Sequence, residues 1–378
     1  MKAVVLGAAG LIGREVAGTV IRRGAFQGVV LADRQRDPLR KVAADLGAGV
    51  EVRETDALDP SSLSRALKGC DVLVNCTTYH LGVRVLTAAA RAGVHYVDLG
   101  GLYNTPRQLE MSDRVARAGI TAVIGCGATP GVSNVLARWG AESLDGAEKV
   151  EIAFASFRDL AASPGLLDTI LDEFRPAIPR FFWRDGDFVP TAPFEGRRRV
   201  HFPTPVGAQD VFYVPHSETH TIHRFLPGVR EVAVRGTWRP RDMARLQAVA
   251  SLGLTNERPV SVNGVPVVPL QVLREVLLAQ PPAPDGEPWA FFLSVSVSGH
   301  SNGSPTEVRT TASHPPDWGT ATTGRMTGIP AAIGAEMIAR GRASGVGVRP
   351  PEAAFEPEEI LRELRREGLT FRRRVLHD

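Results

Sequence analysis

The sequence predicts an α/β protein: a Rossmann, doubly wound parallel sheet joined to an inserted α+β second domain with a mixed or antiparallel sheet. Three observations predict it. Short apolar runs alternate with helix-spaced segments through the first third of the chain. A glycine string, Gly7-Ala8-Ala9-Gly10-Leu11-Ile12-Gly13, links the first run to the first helix. Near Ser143 this rhythm gives way to strands of alternating polarity and proline-rich connections.

The elements follow in order. Lys2–Leu6 is an apolar strand, and Leu11–Arg23 has helical spacing. Residues 29–32 form a second strand ending at Asp33, 37–46 a helix, and Val50–Glu54 a third strand ending at Thr55-Asp56. Asp59-Pro60-Ser61 opens the next helix with proline in its first turn. Strands at 72–76, 95–99 and 121–125 alternate with helices Gly82–Ala92 and 105–118. Such β-α-β alternation requires parallel strands with right-handed crossovers. Beyond it, 150–157, 211–214, 230–236 and 290–298 read as strands, and 165–174, 243–252 and 270–278 as helices. Residues 328–341 form a close-packing helix rich in Ala, Gly and Ile, and 356–367 a charged amphipathic one. The expected division is 1–130 for the dinucleotide-binding domain, 131–322 for the substrate and dimerisation domain, and 323–378 for a helical segment returning to the first.

Composition narrows the function. With 378 residues the chain has room for about two or three domains. Its 44 basic and 41 acidic residues leave a net charge of +3, which supplies no electrostatic case for a nucleic-acid or membrane partner. The runs Arg197–Arg199 and Arg372–Arg374 are short enough to be solvated faces or contacts to an acidic substrate or phosphate. Cys70, Cys76 and Cys126 lack metal-ligand spacing, so no metal is expected. The sparse thiols, the absence of a cationic leader before the first strand and the lack of a long apolar run predict a cytoplasmic protein.

The glycine string carries the cofactor expectation. Gly7, Gly10 and Gly13 permit a tight turn, so that backbone N–H groups at Ala9, Leu11 and Ile12 approach a pyrophosphate at a helix N-terminus. Asp33, twenty residues beyond Gly13, ends the second strand, where a carboxylate accepts ribose hydroxyls. Arg34 beside it is suited to a 2′-phosphate. NAD is the expected cofactor, with NADP the alternative. Asp56 and Ala57 follow the third strand and are expected near the adenine.

Several runs then resemble the saccharopine dehydrogenase / L-lysine dehydrogenase family. They are Asn75-Cys76-Thr77-Thr78-Tyr79-His80, Gly93 through Gly101, Gly127-Ala128-Thr129-Pro130-Gly131, residues 326–341, and Gly347 through Glu352. The resemblance implies a substrate cleft between the two domains, with Cys76, Thr77 and Thr78 beside the cofactor. It also implies a homodimer formed through the second sheet. Members of the family oxidise or form a C–N bond at a lysine amine or related secondary amine, using NAD or NADP. An aspartate of the saccharopine-forming members is replaced here by Thr129, which places lysine-type oxidative deamination ahead of saccharopine-like condensation.

The small-molecule substrate is expected among the following residues. Tyr79 matches a family tyrosine on the nicotinamide side, and His80 beside it reads as a loop histidine. Asp98 ends a strand before Gly100 and Gly101, where it either orients the site or caps the turn. Thr129, Pro130 and Gly131 open a helix whose free N–H groups are expected to take a substrate carboxylate. An extended strand would put His216, Glu218 and His220 on one side and His223 on the other, and a helix would pair His216 with His220. Fed into the cleft by a loop, His216, Glu218 and His220 are the expected proton carriers, and a polar surface strand is the alternative. Arg175, Arg180 and Arg184 either select an acidic substrate or form a solvated face. Two other classes fit a Rossmann chain: a nucleotide-sensing regulatory protein without turnover, and an epimerase or synthase that retains its cofactor.

Overall fold

The computed structural model describes residues 1–47, 49–102, 104–281 and 287–377. Six strands, β1 (Lys2–Leu6), β2 (Gly28–Asp33), β3 (Val50–Glu54), β4 (Val72–Asn75), β5 (His95–Asp98) and β6 (Thr121–Val123), form a parallel sheet with Gly347–Arg349. Their order is Gly347–Arg349, β6, β5, β4, β1, β2, β3. The central strands β1, β2 and β4 are apolar almost throughout because helices cover both faces. The strand order reverses between β1 and β4, which opens a crevice at their carboxyl ends. Gly7 leaves β1 there, and Cys76 leaves β4.

The second sheet has nine strands and mixed polarity. Gly146–Phe157 runs parallel to Glu231–Thr237 and antiparallel to Ala290–Ser301. Outside these lie Ser304–Ser313 and Thr370–His377 on one flank, and Ala208–Tyr213 with Arg198–His201 on the other. The hairpin Phe181–Arg184 and Asp187–Pro190 also pairs with Glu231–Thr237. Helices Val132–Ala141 and Glu218–Phe225 pack against this sheet.

Three expectations are corrected. The single helix expected over 105–118 is two, Asn104–Glu110 and Ser112–Arg117. Met111 donates to the Gln108 carbonyl, a bond of three-residue span that turns the chain between them. The segment from His216 is not extended: His216 ends a loop, as expected, but Glu218 and His220 lie on a helix. Thr219 Oγ1 donates to the His216 carbonyl at 2.6 Å and the helix Glu218–Phe225 follows. Finally, the expected helical ending does not continue to the last residues. Helices Thr322–Ala339 and Pro357–Arg366 are present, but Thr370–His377 is a strand of the second sheet.

Helix Thr322–Ala339 lies along Leu11–Arg23, and one ion cluster clamps the ending to the first sheet. Arg23 donates to Glu336 at 2.5 Å, Glu363 at 2.7 Å and Glu367 at 2.8 Å. Among the described residues no helix is long and apolar enough to cross a membrane.

Candidate active site

At the crevice the backbone makes a cradle that tolerates no side chain. Gly7 has φ +82°, and a Cβ there would stand 2.9 Å from the Cys76 carbonyl. A Cβ on Gly13 would overlap the Gly7 carbonyl oxygen. Gly10 caps helix Leu11–Arg23 without a side-chain cap, so the first-turn N–H groups have no intrahelical acceptor. Asp33 Oδ2 accepts the Ala9 N–H at 3.0 Å and Oδ1 the Gln35 N–H at 3.0 Å, which holds its carboxylate at the cradle's rim. Gly7, Ala9, Gly10, Leu11, Ile12, Asp33, Arg34, Asp56, Ala57, Cys76, Thr77 and Thr78 all line one cleft. Gly13 lies beneath it, as the support for Gly7. The donors and the carboxylate fit a dinucleotide: a pyrophosphate over the helix terminus and a ribose at Asp33.

The cleft encloses about 610 Å³, and its far wall comes from the second sheet. Glu173, near the end of helix Pro164–Phe174, is 3% exposed. Its Oε1 is 3.6 Å from His216 Nε2, and its Oε2 has no hydrogen-bond partner among the described residues. Behind the imidazole, Glu218 Oε2 is 3.1 Å from Nδ1, while Glu218 Oε1 accepts from Thr129 Oγ1 at 2.6 Å and Ser133 Oγ at 2.7 Å. Phe154 packs against the ring with centroids 5.3 Å apart, and Trp238 lies 5.5 Å from Phe154.

Electrostatics follow from this packing. Burial alone would strip the proton from His216, but the charges of Glu218 and Glu173 outweigh it and push its pKa up to about 10. For Glu218, burial is outweighed by the imidazolium and the two hydroxyl donors, which lower its pKa. Arg158 also lines the cleft, with its guanidinium on the carbonyls of Asp159, Leu160 and Leu166 at 2.8, 3.1 and 3.1 Å. Burial lowers its pKa to about 10, against the pull of Glu173, so it stays cationic at neutral pH. Two more donors beside the cleft, Trp238 Nε1 and Thr323 Oγ1, have no partner among the described residues.

Several sequence expectations change here. His220 does not reach the cleft. The rings of Phe181 and Phe188 lie 5.1 and 4.9 Å from it, and burial lowers its pKa to about 4. Glu218 is fully buried behind His216 and does not line the cleft. Tyr79 lines the cleft with its hydroxyl donated to Asp172. Asp98 lies behind the wall: Oδ1 accepts the N–H groups of Gly100 at 2.9 Å and Gly125 at 2.7 Å, and Oδ2 accepts Tyr96 and Gln108. It therefore orders the loop bearing Gly100 and Gly101, which do line the cleft.

Thr129 and Pro130 line the cleft as well, but the turn offers no carboxylate cradle. Gly131 N–H goes to Asn134 Oδ1 at 2.8 Å, and Val132 and Ser133 donate to Gly127 and Ala128. Arg175 and Arg180 are buried rather than solvated. Arg175 pairs with Asp172 and Glu257, and Arg180 donates to the Glu173 carbonyl. Glu173 and Arg158 escaped the sequence reading. A glutamate one position from the end of an apolar helix gives only a faint signal.

A dinucleotide cradle and a proton-holding imidazole thus stand on opposite walls of one cleft, the layout of a Rossmann oxidoreductase. The chain belongs to the saccharopine dehydrogenase family: residues 3–123 match its NADP-binding domain and residues 178–369 its C-terminal domain. The cofactor is accordingly a nicotinamide dinucleotide, as the cradle and the motifs implied. Carboxyaminopropylagmatine dehydrogenase of Synechocystis is 24% identical over 98% of this chain and 96% of its own. Carboxynorspermidine synthase of Vibrio alginolyticus is 23% identical over 85% of this chain and 82% of its own. Among solved structures, apo saccharopine dehydrogenase (L-Glu forming) of Saccharomyces cerevisiae shares the fold. Its TM-score is 0.76 at 15% identity, over 99% of both chains.

Proposed function

We propose that the protein forms or oxidises the C–N bond of a secondary amine in which an amino-acid arm is joined to a cationic amine. The observation that carries this reading is the buried Glu173–His216–Glu218 line at the cleft wall, in which Glu173 Oε2 has no hydrogen-bond partner among the described residues. A buried carboxylate without a partner is costly, and a substrate ammonium relieves that cost. Arg158 beside it suits the carboxylate of the amino-acid arm. The relatives' names describe two such compounds, carboxyaminopropylagmatine and carboxynorspermidine.

A nicotinamide held in the cradle would supply or accept hydride at the carbon of the C–N bond. Gly7, Gly10 and the first turn of helix Leu11–Arg23 hold its pyrophosphate, and Asp33 the ribose. His216 holds a proton within reach of the nitrogen, and Glu218 and the Phe154–Trp238 wall keep that proton in place and water away. Lysine-type oxidative deamination, first among the sequence expectations, is the narrower form of this reading. It uses Glu173 and Arg158 in the same way, on the ammonium and the carboxylate of lysine, but leaves more of the cleft's volume unfilled. A buried acid–imidazole line also favours turnover over a nucleotide sensor. The reading includes the expected homodimer and cytoplasmic setting, checked by light scattering and fractionation.

The test is nicotinamide reduction with carboxyaminopropylagmatine, carboxynorspermidine, saccharopine, lysine and ornithine, each with NAD and NADP. Turnover is expected with a carboxylated secondary amine and not with lysine. For Glu173→Gln, KM for that amine should rise by about 10-fold or more, the loss of one charged hydrogen bond, with cofactor Kd unchanged. Turnover with lysine alone, or an unchanged KM, overturns the reading.

A further inference from the structure

Helix Pro351–Ala354 places a second carboxyl behind the His216 wall. Glu352 is 1% exposed, and neither of its carboxyl oxygens has a hydrogen-bond partner among the described residues. Thr221, the backbone of Glu352 and Asn134 stand next to the carboxyl and favour its charged form, though none makes a hydrogen bond of regular geometry to it. Asn134 Nδ2 donates to Thr221 Oγ1 at 3.1 Å.

Two helices pack against this carboxyl, Val132–Ala141 and Glu218–Phe225. From the first, Arg138 is turned away. Its Nη1 donates to the carbonyls of Glu352 and Phe355 at 3.2 and 3.0 Å, and its Nη2 to Glu356 at 2.9 Å. From the second, the charged group acting on Glu352 is Glu218, one helical turn from Thr221. Among the described residues no cation forms an ion pair with the Glu352 carboxyl, while the Glu218 charge acts against its ionisation.

We propose that Glu352 is a positioning residue that acts on His216 through Glu218: its unpaired buried carboxyl sets how much negative charge stands behind the imidazole. Burial, helped by the Glu218 charge, pushes the Glu352 pKa up to about 7. Below that pH Glu352 is neutral and Glu218 alone polarises His216 from behind. Above it, a second anion strengthens the hold on the imidazole proton and makes His216 a weaker acid. None of the roles assigned to the cleft uses this group.

The inference rests on His216 being the proton-holding group, and its test needs no substrate. Failure of every amine in the panel would sink the functional reading and leave this one standing. The experiment is NMR titration of the intact protein with isotope-labelled histidine, the His216 resonance being assigned by its loss in His216→Gln. The wild-type signal should shift in a step centred near pH 7. That step should vanish in both Glu352→Gln and Glu352→Leu. An apolar residue replaces an unpaired neutral acid at little cost, so Leu carries the test if the amide does not fit. A wild-type signal without the step, a step that survives both substitutions, or failure of both variants to fold overturns the proposal.

Discussion

Glu218 stands 3.1 Å behind His216 Nδ1 with no surface reaching solvent, so the imidazolium of the cleft is balanced from within the protein. Glu218→Gln keeps the shape and removes the charge. Burial then acts on His216 with only Glu173 opposing it, and its pKa should drop well below about 10. Turnover should fall by roughly 10²- to 10⁴-fold, the range of a misplaced acid–base group. Cofactor Kd should stay within about twofold, since Glu218 does not touch the cradle. Steady-state rates and fluorescence titration of the cofactor separate the two, and equal losses in both would point to a collapsed site.

The two buried histidines of this region give stability opposite dependences on pH. The folded-state pKa of His216 is raised to about 10. Its contribution is complete below the ordinary imidazole value of about 6.5 and lost as pH climbs through about 10. His220 is lowered to about 4, so its contribution is present above about 6.5 and lost as pH falls towards 4. Tm measured against pH should fall less on the alkaline side in His216→Gln and less on the acid side in His220→Phe. Profiles parallel to wild type would show that neither histidine is held as described.

The legible part of this chain is the part whose signals are local. Strand Lys2–Leu6, helix Leu11–Arg23 and the glycine string sit consecutively, and an apolar parallel strand needs no partner to be recognised. The illegible part depends on distant contacts. Helix Glu218–Phe225 buries Glu218, Thr219, His220 and Thr221. Its inner face is polar because it packs on a functional wall, and the apolar period that betrays a helix is missing. Glu173 and Arg158 are distant in sequence from His216, and only the second sheet brings them together. The strands Phe181–Arg184 and Arg198–His201 are four residues each, too short to show alternation. Ser304–Ser313 buries Thr306, Val308, Thr310 and Ala312. There the period of two was present, with threonine in apolar positions.

Cofactor choice turns on adjacent side chains at the rim. Asp33 has one backbone bond to each carboxylate oxygen, which leaves lone pairs for ribose hydroxyls, whereas Arg34 is exposed at the cleft. A carboxylate beside a 2′-phosphate is repulsive, so NAD should bind more tightly than NADP. Arg34→Ala should weaken NADP by about 10-fold, one lost charge-assisted contact of about 1.4 kcal/mol, and leave NAD unchanged. Isothermal titration with both dinucleotides decides this. A stronger loss for NAD would place Arg34 on the shared adenosine instead.

Arg23 is the residue whose loss should cost the fold most without touching the cleft. It sits at the end of helix Leu11–Arg23 and reaches carboxylates on two other helices and the turn beyond, Glu336, Glu363 and Glu367. The side chains of Arg23 and these three are 11%, 7%, 6% and 12% exposed, so water replaces few of the lost bonds. Glu367 keeps Arg22, Glu363 keeps Arg366 and Arg342, and Glu336 keeps Arg340, so the acids are not stranded altogether. Arg23→Met, which fills the same space without charge, should still destabilise the protein by about 3 kcal/mol, the low end for breaking a buried ion pair from one side. The sign of the pH dependence follows from the acids. For Glu363 and Glu367, burial is outweighed by their arginine partners and both pKa values are lowered, so their stabilisation is present above the ordinary carboxylate range and lost as pH falls below it. Denaturant midpoints of wild type and Arg23→Met should therefore converge between about pH 5 and pH 3, where the carboxylates protonate. A gap that stays constant to acid pH would mean that packing of the arginine stem, rather than its charge, holds the closing helices to the first sheet.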